Sequence, residues 1–337
     1  MPQNIEKFLI EELCYLQESG CKKLISIGTT AKHAAPFLVL PRRETTDNAM
    51  SSFMINDEAT LMQTLAFFDG IADTILLDVE PKQSIPLFQI AERTIKKSQL
   101  LSMKPNDATL ESCDLLLRHH FGEDLSSKIF VLLGTGNLSG KLALRLAERQ
   151  AVVYIKGRNA DKEQQLINGL NLMLPAHAEP IAALDELETQ TDAVIAFLSG
   201  VWEQVDLLRP HIGNETLVID GGIGNFSPEF LEELLAKDIQ LTRLDTRISF
   251  PYQLLGFAHY IGNFFDDIYG MELLHGITIA AGGYVGPYGT VIVDRIKNPQ
   301  QVIGIADGKG GVIRDGAIEE ERQRDVDIIK QTIAARH

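Results

Sequence analysis

One run of the chain, Gly134-Thr135-Gly136-Asn137-Leu138-Ser139-Gly140, has the residue types and spacing to hold an anion. A helix N-terminus offers unpaired N–H groups and a partial positive charge. Phosphate reaches those groups only where the backbone can come very close, which favours glycine at 134 and 136. Gly140 would let the following helix pack onto the strand. The spacing is GxGxxxG rather than GxGxxG. Its context supplies the weight: a strand-like run, Lys128 to Leu133, precedes it, and a helical pattern, Leu138 to Arg149, follows. Such a loop suits a dinucleotide pyrophosphate, with Thr135, Asn137 and Leu138 at its lip. A glycine-rich turn with no ligand is the competing explanation.

The end of the next strand selects between cofactors. An acid there holds the ribose 2′-OH of NAD, and a basic residue suits the 2′-phosphate of NADP. The chain reads Tyr154-Ile155-Lys156-Gly157-Arg158-Asn159, with no acid before Asp161. Lys156 and Arg158, assisted by Asn159, therefore predict NADP, with NAD left open. Ser199 and Gly200 end one later strand, and Gly221 and Gly222 end another. Ligands of open α/β sheets gather at these carboxyl ends.

Other reactive side chains are scattered. Lys82 lies just past the strand-like TILLDV run, on the same kind of strand edge. His259 and Tyr260 stand on a late aromatic helix and could face a nicotinamide, although core packing would also explain that helix. Lys32 and His33 follow a Gly28 turn and could meet an anionic substrate. His119 and His120 suit a helix C-terminus. Cys113 falls inside a predicted helix and reads as a buried thiol. No histidine has metal-ligand spacing, and Cys14, Cys21 and Cys113 form no CxxC pair, so no metal site is expected.

These residues need elements to position them. Apolar spacing predicts helices over 4–19, 57–70 and 84–98, with strands at Lys23 to Ile27, Phe37 to Leu40 and Thr74 to Val79. Asn106 or Asp107 would cap a helix from about Thr109 to His119, along which the first domain meets the second. Beyond the glycine loop come strands at 151–155, 192–198, 216–220 and 239–244, and helices near 161–173, 201–209 and 227–236. A helical stretch then follows Pro251. Strands at 277–283, 289–295 and 301–306 and a helix over 317–335 close the chain. The fold class is α/β: a doubly wound parallel sheet with a smaller N-terminal α/β domain and a C-terminal β-rich extension. The expected domains are 1–110, 111–270 and 271–337.

Bulk composition narrows the partners. The chain has 337 residues and a formal net charge of -15, which disfavours nucleic acid. The acidic start lacks the form of a signal peptide, and no apolar run is long enough to span a membrane. Sparse cysteines suit a reducing cytoplasm. A small-molecule substrate is the expected partner, and a homo-oligomer remains open.

The order of motifs resembles the superfamily that contains shikimate dehydrogenase and methylenetetrahydrofolate dehydrogenase. Leu125 to Asn159, with GKLALRLAERQAVVYIKGRN, carries the likeness best, and Asp192 to Asn225, ending VIDGGIGN, continues it. KPNDATLESCDLL, 104–116, is similar to the segment that opens the linking helix of shikimate dehydrogenases, without its Thr. The resemblance implies an N-terminal substrate domain, a linking helix and a Rossmann domain. It also implies a catalytic Lys–Asp pair in the cleft, for which Asp107 with Lys82 or Lys104 is the candidate pair, although the family's catalytic Lys has no direct match in the sequence. Helix capping is the competing role for Asp107. Tyr260 stands where shikimate dehydrogenases carry a Gln, and their N-terminal Ser pair has no counterpart here.

The expected function is an NADP-dependent oxidoreductase acting on a small polar metabolite, interconverting carbonyl and alcohol or imine and amine. Alternatives are a non-catalytic dinucleotide sensor and a synthase or lyase that keeps a dinucleotide bound. A convergent proton donor in the cleft separates enzyme from sensor.

Overall fold

The structure is a computed structural model that describes residues 5–30, 36–82, 85–257, 259–314 and 318–335; the side chains of 259 and 260 lie outside the described ones. The chain divides into two compact units, 1–251 and 252–337.

The first unit holds two sheets. In the N-terminal one, α1 (Ile5–Glu18) leads into β1 (Lys22–Gly28), β2 (Phe37–Glu44) and β3 (Asn48–Ile55). Then come α2 (Glu58–Phe68), β4 (Thr74–Asp78), α3 (Leu87–Thr94) and β5 (Gln99–Met103). The strand order is β2-β3-β1-β4-β5, parallel except for the antiparallel edge strand β2. Asp57 starts α2, its side chain accepting the Thr60 N–H. Leu9, Leu16, Ile25, Ile27, Phe53, Leu61, Leu65 and Phe68 are buried together against the sheet.

Three local readings change here. The strand expected to stop at Leu40 continues through Pro41 to Glu44, because an edge strand tolerates proline's missing N–H. β3 is a strand the periodicity misses: nearly all of NAMSSFMI is buried, so no alternation shows. Its polar side chains are satisfied inside, Ser52 bonding Ser26 and Ser51 bonding Glu12. The helix expected over 84–98 stops at Thr94. The Asp69 carboxylate accepts the N–H groups of Lys96, Lys97 and Ser98 and turns the chain into β5.

The linking helix α4 (Pro105–Phe121) starts at a proline, which suits a first helical position. The second sheet follows: β6 (Ile129–Leu133), α5 (Asn137–Glu148), β7 (Val152–Lys156), α6 (Ala160–Asn171) and β8 (Ala182–Ala183). β9 (Ala193–Ala196), β10 (Leu217–Asp220), α7 (Pro228–Ala236) and β11 (Gln240–Arg243) complete it. All six strands are parallel, in the order β11-β10-β9-β6-β7-β8. This is the doubly wound Rossmann arrangement, with its switch point at the carboxyl end of β6 between β7 and β9. The helix expected over 201–209 is absent. Two 3₁₀ turns, Val205–Leu207 and Arg209–His211, take its place, and Pro210 stands in the first turn of the second, where its missing N–H is tolerated.

α8 (Phe250–Leu255) runs across the division between units. The second unit contains α9 (His259–Ile268), β12 (Met271–Leu274), β13 (Ile277–Ala281), β14 (Val291–Val293), β15 (Val302–Ile305) and α10 (Glu320–Ala334). The late helix falls within this second unit. The strands form one sheet in chain order, with β13 and β14 parallel and the outer pairs antiparallel. Ile279, Val291, Val293 and Ile305 pack with Val326, Ile329 and Ile333 of α10.

Candidate functional site

The glycine loop sits at the switch point. Gly134 has φ 123 and donates its N–H to the Lys156 carbonyl at 2.8 Å. A Cβ there would stand 2.5 Å from the Phe197 carbonyl oxygen, so both backbone and space require glycine. The Thr135 methyl packs against Gly157 and fixes the loop to the end of β7. Gly136 differs. Its φ of -93 suits any residue, and a Cβ would meet no atom within 4 Å. Open space therefore lies before the loop where α5 begins.

Gly136 caps α5 with no side-chain hydrogen bond, so Asn137, Leu138 and Ser139 open a helix with an uncapped N-terminus. The Ser139 hydroxyl is buried without a hydrogen-bond partner, close behind Gly134. Uncapped donors, an orphaned hydroxyl and open space at Gly136 together fit a pyrophosphate.

Other glycines of the expected site have internal reasons. A Cβ at Gly140 would stand 3.1 Å from Leu166 of α6, so the glycine admits a helix–helix contact rather than a helix–strand one. Cβ atoms at Gly221 and Gly222 would strike Phe197 and Asn225. Their loop is tied by the Asp220 carboxylate, which accepts the N–H groups of Gly222, Gly224 and Asn225. Asn225, fully buried, holds Leu198 and Gly200 in turn. These glycines shape the carboxyl edge from within. A Cβ at Gly200 would meet nothing within 4 Å.

The strand end that looks acid-free in sequence is not so in space. Glu163, from the first turn of α6, is buried and accepts the Gly157 N–H at 2.7 Å. Lys156 donates to both Asp185 oxygens, at 3.0 and 2.8 Å, and lies 3.6 Å from Glu163. Burial lowers the Lys156 pKa, but Asp185 and Glu163 more than offset this and leave it raised. Lys156 is thus engaged, not waiting for a phosphate. Asn159 caps α6 by accepting the Lys162 N–H. Arg158 is the exposed cation that remains, and it donates to Ser199 Oγ at 3.1 Å. Arg158 follows β7 and Ser199 follows β9, so this contact crosses the carboxyl end of β6, above the glycine loop.

A cavity of about 330 Å³ opens beside the loop, lined by Glu80, Pro81, Lys82, Lys104, Asn106, Asn137 and Lys141. Two charge clusters meet there. Asp107 accepts from Lys104 at 2.5 Å and from Lys141 at 2.7 Å. Hydrogen bonds from Lys104, then Lys141, hold the Asp107 carboxyl below the usual range, and Asp107 raises Lys104. Lys82 does not join this pair. It donates to the buried Asp78 at 2.9 Å and lies 2.8 Å from Glu80. Glu80 also accepts the Asn106 N–H at 3.0 Å, tying the end of β4 to the start of α4.

Lys141 was not singled out in sequence, yet it begins a ladder. Lys141 and Arg145 of α5 and Arg149 at its C-cap meet Asp107, Glu111 and Asp114 of α4 at 2.7, 2.7 and 3.0 Å. Asp114 is buried and takes both forks of Arg149, with Arg118 and Arg145 within 3.7 Å. Leu110, Cys113 and Leu117 belong to the same core as Leu142, Ala143 and Leu146. Ladder and apolar seam together fix Asp107 relative to the glycine loop.

Lys32 and His33 lie outside the described residues, as does the Tyr260 side chain, although Tyr260 falls on α9. Cys113 is buried, and burial raises its thiol pKa, which removes it as a nucleophile. Among the described residues no group of His, Cys, Asp and Glu could hold a metal ion, and no helix is long and apolar enough to cross a membrane.

No protein-family model matches the chain, and no curated protein matches its sequence. Solved structures do align with it. One is shikimate dehydrogenase in complex with NADP+, at 12% identity over 71% of this chain and 91% of that one, with a TM-score of 0.42. Another is the catalytic subunit of M. jannaschii aspartate transcarbamoylase, at 9% identity over 77% and 97%, TM-score 0.41. A third is L-tryptophan dehydrogenase from Nostoc punctiforme, at 10% identity over 71% and 75%, TM-score 0.42. Identities and TM-scores this low transfer no activity to the chain.

Proposed function

We propose that the chain is an NADP-dependent oxidoreductase that acts on a small polar metabolite in the cavity beside the glycine loop. One observation carries the reading: Asn137, at the uncapped start of α5, lines the same cavity as Lys82, Lys104 and Lys141. An anion-binding helix start and charged side chains able to exchange a proton thus share one space. When bound, the dinucleotide would supply or take the hydride. The residues of the chain bind the substrate and move the accompanying proton.

The roles divide by charge. Asp107, depressed by two lysines, stays ionised near neutral pH and is a poor proton carrier. Its part is to hold Lys104 and Lys141 together, where their surplus positive charge steadies an anionic group. Lys82 is the proton exchanger. It gives its proton to the substrate heteroatom as the carbon is reduced, is left neutral, and regains a proton from solvent; oxidation runs the reverse path. Asp78 and Glu80 orient it.

Fluorescence titration of the purified chain with NADPH and NADH tests the reading. Binding of NADPH with clear preference is expected. Absence of binding by either would overturn the proposal.

A further inference from the structure

We propose that the cavity takes a small amino acid in its zwitterionic form, the carboxylate at Lys104 and Lys141 and the ammonium at Glu80. This rests on reading the cavity as the substrate site. The argument is one of charge and unused hydrogen-bonding capacity. Lys104 and Lys141 share the single carboxylate of Asp107, which leaves that cluster one positive charge in surplus. Each ammonium has three donors and spends one on Asp107. Each Asp107 oxygen already accepts one lysine. The cluster therefore has unspent donors and one surplus positive charge, which suits one carboxylate.

The facing cluster has the opposite imbalance. Asp78 and Glu80 share the single ammonium of Lys82, which leaves one negative charge in surplus. The Glu80 side chain is only 8% exposed, and its Oε2 takes both Lys82 and the Asn106 N–H. Its Oε1 holds no hydrogen bond among the described residues. Glu80 lines the cavity, so this oxygen is open to a further donor there.

One zwitterion completes both clusters. Its carboxylate brings the first to two cations and two anions, and its ammonium does the same for the second. A simple acid would leave Glu80 unmatched, and a simple amine would leave the lysines unmatched. The volume, about 330 Å³, is at the small end for ligand sites, which suits a compact molecule.

The test is calorimetric titration of the whole chain with the protein amino acids, singly, with and without NADPH. The best binder is then compared with its deaminated acid and its decarboxylated amine. Both counterparts should bind at least about tenfold more weakly. Glu80→Gln should abolish the advantage over the deaminated acid. Lys104→Gln with Lys141→Gln should abolish the advantage over the amine. Circular dichroism establishes that each variant is folded. The proposal is overturned if no amino acid binds, or if a counterpart lacking one pole binds as well. NADPH titration separates the two readings: amino-acid failure with NADPH bound sinks this inference alone, whereas amino-acid binding without any NADPH binding keeps it and removes the oxidoreductase.

Discussion

Lys141 donates to Asp107 at 2.7 Å, joining the helix that opens at the glycine loop to the helix that follows β5. The contact makes the titration of Asp107 a reporter of the junction. In Lys141→Met one of the two hydrogen bonds that depress the Asp107 carboxyl is lost, so its pKa should rise toward the ordinary value of about 3.9. A depressed folded pKa contributes stability that is present above the unfolded value and lost as pH falls through the folded one. The variant should therefore lose that contribution at higher pH than the wild type. Carbon-13 NMR of the Asp107 carboxyl reads the midpoint directly, and an unmoved midpoint would refute the role given to Lys141.

Gly136→Val should eliminate dinucleotide binding and leave the fold intact. No protein atom lies within 4 Å of the position its Cβ would take, so the added branch points into the open space before the loop. Thermal unfolding and NADPH fluorescence, measured together, decide the matter. Tight binding in the folded variant would reduce the loop to a turn.

Arg158→Ala should erase any preference for NADP over NAD. With Lys156 held by Asp185, Arg158 is the cation left to meet a 2′-phosphate. The wild-type preference should reach at least about tenfold, roughly 1.4 kcal/mol. Equal affinities in the wild type, or equal weakening of both cofactors in the variant, would show the arginine has another task.

Lys82→Met should lower turnover about 10²–10⁴-fold, the usual weight of general acid–base catalysis, and spare NADPH affinity. Single-turnover hydride transfer is the measurement, made once a substrate is in hand. A loss confined to KM would make Lys82 a binding group.

Asp114→Ala should destabilise the first unit by about 3 kcal/mol, the low end for removing one partner of a buried pair. The low end applies because Arg118, Arg145 and Arg149 keep 24%, 32% and 35% exposure and can be solvated. Urea denaturation gives the value, and a loss below about 1 kcal/mol would mean the carboxylate is dispensable.

The parts legible in the sequence were local ones. β6, the glycine loop and α5 are contiguous, so one window contains strand, turn and helix, and the doubly wound alternation repeats that unit. The contacts between Lys141, Arg145, Arg149 and Asp107, Glu111, Asp114 use regular helical spacing on each side, but neither helix states which other it faces. Glu163 reached the end of β7 from the next helix, and Asp185 from further on, so an apparently basic strand end proved balanced. β3 hid because burial on both faces erases alternation. Lys82 and Asp107 were each visible as charges near turns, yet only the fold separates them into two clusters.

The surplus positive charge at Lys104 and Lys141 is a local exception in a chain of net charge -15. Its reach is about one Debye length, ~8 Å at physiological ionic strength. Farther out, an arriving anion meets a molecule of its own sign. Long-range attraction will not hasten the encounter, as it does where net charge and ligand are opposed. Added salt should therefore quicken the arrival of an anion at this cluster while loosening its grip after arrival, so that on-rate and off-rate climb together.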